Sequence, residues 1–167
     1  MTPERLLSTA IVPAVTYLRD CHGIADTMGA RRLMLAIAFQ ESGLLHRRQV
    51  SQDGTESGPA VSFWQCEVNG VPHYLLLHAK VGPMLRKACA DFNVAANDQD
   101  IWNAIRYQDV LAGIVARLGF FVLPAQLADN VDDGWLQYID AWQPGKPIKS
   151  TWATNWAAAD KIVKAYP

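Results

Sequence analysis

The stretch Leu35-Ala-Ile-Ala-Phe-Gln-Glu-Ser-Gly43 runs an apolar segment directly into a carboxylate, a hydroxyl and a glycine. Upstream, Asp26 or Thr27 is placed to cap a helix that continues through Gly29-Ala-Arg-Arg-Leu-Met to Ser42. The centre of that helix, Leu33 to Phe39, is apolar on almost every face, which predicts a helix enclosed by the rest of the chain. Glu41 falls in its last turn. Dry surroundings disfavour a carboxylate, and so does the partial negative charge at a helix C-terminus. The position therefore suits an acid that keeps its proton.

Further helices flank this one. Leu7, Ile11, Val15 and Leu18 recur at helical spacing, predicting a helix from residue 3 to about 21, capped by Thr2, with Pro3 in its first turn and a bend at Pro13. From Gly43 to Pro59 the periodicity stops, and the polar segment His46-Arg-Arg-Gln-Val-Ser-Gln-Asp-Gly-Thr-Glu-Ser-Gly-Pro59 reads as a functional loop. Ala60-Val-Ser-Phe-Trp-Gln-Cys-Glu-Val68 alternates weakly and Asn69-Gly70 signals a turn, so one or two short strands are expected here. Asn97 caps a long helix with Asp98 and Asp100 in its first turn, buried along Ile101, Ile105, Tyr107, Leu111, Ile114, Val115 and Leu118, and ended by Gly119. Asp132 or Asp133 opens another helix, stopped by Pro144-Gly145, and Ser150 caps the last. The fold class is mainly α with a very small β element, in a single domain over residues 1–167.

Half of the 167 residues are hydrophobic and 19% are charged, a composition that builds a core and excludes disorder. A net charge of −1 with no basic stripe argues against nucleic-acid binding. Arg31, Arg32, Arg47 and Arg48 cluster near the opening stretch, either as solvated charges or as a local grip on an anionic polymer. Cys21, Cys66 and Cys89 form an odd, scattered set without Cys-x-x-Cys spacing, and His22, His46, His73 and His78 follow no ligand pattern; no metal or other cofactor is expected. No apolar run reaches membrane-spanning length, and the N-terminal segment lacks the features of an export signal.

A helix-end glutamate alone is a weak signal. The segment Gly58-Pro-Ala-Val-Ser-Phe-Trp-Gln65 strengthens it, because Trp64 offers a stacking face and Gln65 both a donor and an acceptor. Glu41-Ser42-Gly43, followed after a loop by this segment, resembles the lysozyme-like superfamily, in particular the soluble lytic transglycosylases and goose-type lysozymes. Their pattern pairs Glu-Ser with a later Gly-Ala-x-Gly-Leu-Met-Gln. Gly58, Ala60 and Gln65 match it; Phe63 and Trp64 stand in place of Leu and Met, Pro59 is inserted, and Ser62 replaces a glycine. Ala141-Trp-Gln-Pro-Gly145 is similar to the family's Ala-Tyr-Asn-Ala-Gly, with the indole N–H of Trp142 in place of a hydroxyl.

The resemblance implies a lysozyme-like domain with a substrate cleft, and cleavage of the β-1,4 bond between N-acetylmuramic acid and N-acetylglucosamine in peptidoglycan. Glu41 is then the catalytic acid, with Ser42, Gly58, Ala60, Trp64, Gln65, Tyr107 and Trp142 as substrate-binding residues. One carboxylate suffices for a lytic transglycosylase. A hydrolase needs a second, for which Asp53, Glu56 and Glu67 are available. The remaining alternative is a phage structural protein that keeps the fold without turnover. The resemblance and the absence of an export signal lead to the expectation of a phage-encoded protein, made in the host cytoplasm and acting on the cell wall. It would be carried in the virion with tail proteins or released at lysis.

Overall fold

A computed structural model describes residues 1–124 and 126–166, and the chain is mainly helical. The helix at the centre of the sequence reading is α3, Met28–Ser42, by which point α1, Pro3–Leu6, and α2, Val12–His22, have already been laid down. In α3 the Ala30 N–H donates to Thr27 Oγ1 at 3.1 Å, and the chain leaves through Gly43 at φ 55°. Leu33 through Ala38 are all buried, and α3 lies chiefly against the last helix, α9, Lys149–Ala165.

Between α1 and α2, Leu7–Ile11 form a π-helical segment in which Val12 N–H reaches back to Leu7. Pro13, just beyond, has no N–H and its ring crowds the carbonyl one turn earlier. The bend expected at Pro13 is therefore taken up as a wider turn before it.

The long helix expected from Asn97 is two helices, α6, Asp98–Ile105, and α7, Asp109–Phe121. Asn97 does cap the first, accepting from Asp100 N–H at 3.0 Å. The chain then turns, with the N–H groups of Tyr107 and Gln108 both on the Ala104 carbonyl. Asp109 restarts the helix and takes the guanidinium of Arg47 across 62 residues. From Leu111 to Phe120 every residue of α7 is buried, and the helix runs past Gly119.

Two short helices, α4, Val71–Leu77, and α5, Gly82–Asp91, fill a region left unassigned by the periodicity. The expected strands reduce to isolated bridges, Arg48 with Val61 and Val61 with Cys66, and no longer strand occurs among the described residues. Ser62 at φ 68° and Gln65 at φ 48° turn the backbone too sharply for a ladder to extend.

Helix α8, Val131–Trp142, is capped by Asn130, whose side-chain oxygen accepts from the N–H groups of Asp132 and Asp133; those acids occupy the first turn rather than the cap. Ser150 likewise lies inside α9, which starts without a side-chain cap. Helices α8 and α9 meet closely at Gly134, where a Cβ would sit 2.3 Å from the Trp156 ring. Gly134→Ala is expected to lower stability by about 1–3 kcal/mol, read as a fall of several degrees in Tm. An unchanged Tm would contradict this packing. No helix among the described residues is long and apolar enough to cross a membrane.

Candidate active site

The end of α3, the loop at residues 60–70, the start of α4 and the ends of α7 and α8 enclose a cavity of about 990 Å3. Glu41 lines it. Its carboxyl is partly buried, and loss of solvent pushes its pKa up to about 7. The opposing influence is Tyr138, whose O–H donates to Glu41 Oε1 at 2.6 Å and favours the ionised form. Desolvation is the larger of the two. None of the ion pairs among the described residues involves Glu41.

Tyr138 was not singled out by sequence reasoning. It is 3% exposed on α8, stacked on Trp152 with ring centroids 5.3 Å apart and planes 11° apart, and Trp135 flanks it at 5.5 Å. Burial and the neighbouring carboxyl raise the pKa of its phenol, so Tyr138 serves as a donor and keeps its proton. The aromatic cluster thus fixes a hydrogen-bond donor on the Glu41 carboxyl. The available signal was its position on the helix of Trp135 and Trp142, one turn before the latter.

Ala60, Gln65 and Trp142 line the cavity with Glu41, as do Tyr74, Asn69 and Gln143. Two cavity residues, Gln65 and Gln143, hold left-handed backbone at φ 48° and 45° without being glycine, a local strain often found at functional sites. Gln40 is anchored beside Glu41: its amide donates to the Ile148 carbonyl at 2.9 Å and accepts from Thr151 and Asn155, tying α3 to the loop that closes the cavity.

The other sequence candidates stand elsewhere. Trp64 is 0% exposed and its indole N–H donates to the Met34 carbonyl at 2.9 Å, so it is a core residue and offers no stacking face. The Trp142 N–H is spent on the Trp64 carbonyl at 2.9 Å; its ring walls the cavity, but the donor is already used. Ser42 Oγ donates to the carbonyls of Ala38 and Phe63 and accepts from Leu44 N–H, clamping the end of α3 to the 60–66 turn rather than facing the cavity. Gly58 is buried and does not itself line the cavity, but it packs under the lining residue Gln49, whose Cβ a Cβ at Gly58 would meet at 2.7 Å. Tyr107 is 68% exposed in the break between α6 and α7, beside Arg106, and does not line this cavity.

Neither Asp53 nor Glu56 lines the cavity. Asp53 is exposed and accepts from the N–H and O–H of Thr55, which holds its pKa down; it shapes the turn. Glu56 pairs with His46 at 3.0 Å. The carboxylates that share the cavity with Glu41 are Glu67 and Asp140, both exposed.

The four arginines are engaged internally as well. Arg31 holds Asp26, Arg32 holds Asp160 and lies over Trp156, Arg47 holds Asp109, and Arg48 donates to the Gly58 carbonyl. They form no free basic grip near Glu41. Cys66, buried at the cavity wall, has its thiol pushed up to about 12 by burial, which makes it a packing residue and no nucleophile.

Chemically, the arrangement offers a carboxyl held near neutrality with a fixed phenol donor, in a cavity also lined by carboxamides, aromatic rings, aliphatic side chains and Glu67, Asp140 and Lys146. Comparison of the chain with protein-family models, with curated proteins and with solved structures finds no match.

Proposed function

We propose that the chain is a lysozyme-like enzyme that cleaves the β-1,4 bond between N-acetylmuramic acid and N-acetylglucosamine in peptidoglycan, by a lytic transglycosylase reaction. The observation that carries this reading is Glu41: a carboxyl with a pKa of about 7, unpaired with any cation among the described residues, at the wall of a polar cavity. Such a group is partly protonated near neutral pH and can give its proton to a leaving oxygen.

In the proposed step Glu41 gives its proton to the glycosidic oxygen as the bond from C1 to that oxygen breaks. The 6-hydroxyl of the muramic acid bonds to C1, and its proton returns to Glu41. The atoms balance without water, and the new end is a 1,6-anhydro sugar. Tyr138 steadies the carboxyl through both halves by its hydrogen bond to Oε1. The carboxamides of Asn69 and Gln143 supply paired donors and acceptors of the kind that bind sugar hydroxyls and N-acetyl groups, and Gln65, whose amide nitrogen donates to the Ser62 carbonyl at 2.8 Å, adds an acceptor oxygen. A phage-encoded setting, in the virion or at lysis, belongs to the same proposal.

A second reading, hydrolysis with water in place of the 6-hydroxyl, draws on Glu67 and Asp140, which share the cavity. Mass spectrometry of digested sacculi separates the two. Fragments with 1,6-anhydro ends are expected; only reducing ends, abolished by Glu67→Gln or Asp140→Asn, would establish the hydrolase. No fragments from the native chain would leave a non-catalytic structural protein.

A further inference from the structure

We infer that Tyr74 is a stacking platform for a pyranose ring of a polymeric glycan, at one end of the cavity that holds Glu41; this rests on the glycosidase reading and extends it to how the sugar is held. Val71 and Tyr74 are three residues apart in α4 and so share a face. Val71 packs at the base of that face: a Cβ on Gly119 would lie 3.1 Å from Val71 Cγ1 and 3.4 Å from the Trp142 ring, so these three residues make a common floor. Tyr74 stands one turn above the floor and lines the same cavity, yet is 56% exposed. The ring of His78, one further turn along, lies 5.8 Å from it and is tilted by 58°.

A half-exposed aromatic ring on the wall of this cavity can receive a ligand with a flat apolar surface. The C–H face of a pyranose is one, and its rim of hydroxyl and N-acetyl groups meets the carboxamides of Asn69 and Gln143 lining the same cavity. A fatty chain has no use for those amides, whereas Glu67, Asp140 and Lys146 in the same lining suit a polar ligand. Leu77, 72% exposed and three residues beyond Tyr74, continues the apolar strip outward, which suits a chain of rings rather than a single sugar.

The test titrates a tetrasaccharide of alternating N-acetylglucosamine and N-acetylmuramic acid into the Glu41→Gln chain by calorimetry, so that binding is read without turnover. Adding Tyr74→Ala is expected to weaken binding about tenfold, and adding Tyr74→Phe to change it by about twofold or less, because the ring face is kept. Tm should hold in both, since the ring is exposed. Equal affinity with alanine at position 74 overturns this inference and leaves the glycosidase reading standing. Failure of the tetrasaccharide to bind the chain with Tyr74 intact overturns both.

Discussion

At pH 8 the Glu41→Gln chain is expected to melt roughly 5–10 °C above the native chain, and to release glycan fragments about 10²- to 10⁴-fold more slowly. Both effects follow from one displaced equilibrium. Glu41 titrates near 7 in the folded chain, against an ordinary value of 4.5. Below the lower value the carboxyl is neutral in both folded and unfolded chains, and the folded form carries no charge penalty. Between the two values the unfolded chain ionises while the folded chain keeps its proton, so stability falls as pH rises. Above 7 the folded chain ionises as well, and the loss levels off at about 3 kcal/mol. Glutamine cannot ionise and its oxygen still accepts from Tyr138, so the loss disappears with the substitution. The Tm gap should therefore close as pH falls from 8 to 4. A gap that does not vary with pH would mean that Glu41 ionises freely, and the proposed acid would be gone. Thermal melts across pH test this independently of any substrate.

The contrast between what the sequence discloses here and what it hides follows the range of the interactions. Helix α3 was legible because everything that defines it is local: Thr27 accepting from Ala30, an unbroken buried run, and Gly43 in left-handed backbone. Glu41 was legible as the polar end of that apolar run, although its burial comes from the elements packed around it, Tyr138 of α8 among them. The break between α6 and α7 was hidden, because the apolar periodicity runs straight through it. It is stabilised from 62 residues away, where Arg47 reaches Asp109 at the start of α7. Trp64 beside glycine and proline looked like a cleft residue, but the acceptor of its indole N–H is a backbone carbonyl 30 residues earlier in α3, which periodicity does not reveal. Ser42 Oγ and the Trp142 N–H are engaged as backbone clamps by the same logic, though the Trp142 ring still lines the cavity: a polar atom near the site went first to an orphaned carbonyl. Tyr138 was overlooked because its partner lies 97 residues away.

That distant partnership carries the second large effect. The Tyr138 O–H bond to Glu41 Oε1 stabilises the carboxylate more than the acid, because a hydrogen bond to a charged acceptor is the stronger one. Tyr138→Phe removes that bond and keeps the stacked ring on Trp152, so the cluster of α8 and α9 should hold. The Glu41 pKa then rises further. A general acid works only while protonated, so the native chain's activity should decline as pH climbs through about 7. In the phenylalanine chain the declining limb should move about one pH unit higher, while the maximal rate falls because the returning carboxylate has lost its donor. The two changes act in opposite senses: the variant is slower at pH 6 but loses less of its rate between pH 7 and 8. A profile that is merely scaled down, with its limb unmoved, would reduce Tyr138 to a packing residue. A limb moved to lower pH would mean that the phenol does not favour the anion, and the electrostatic account of Glu41 would need another source for its balance.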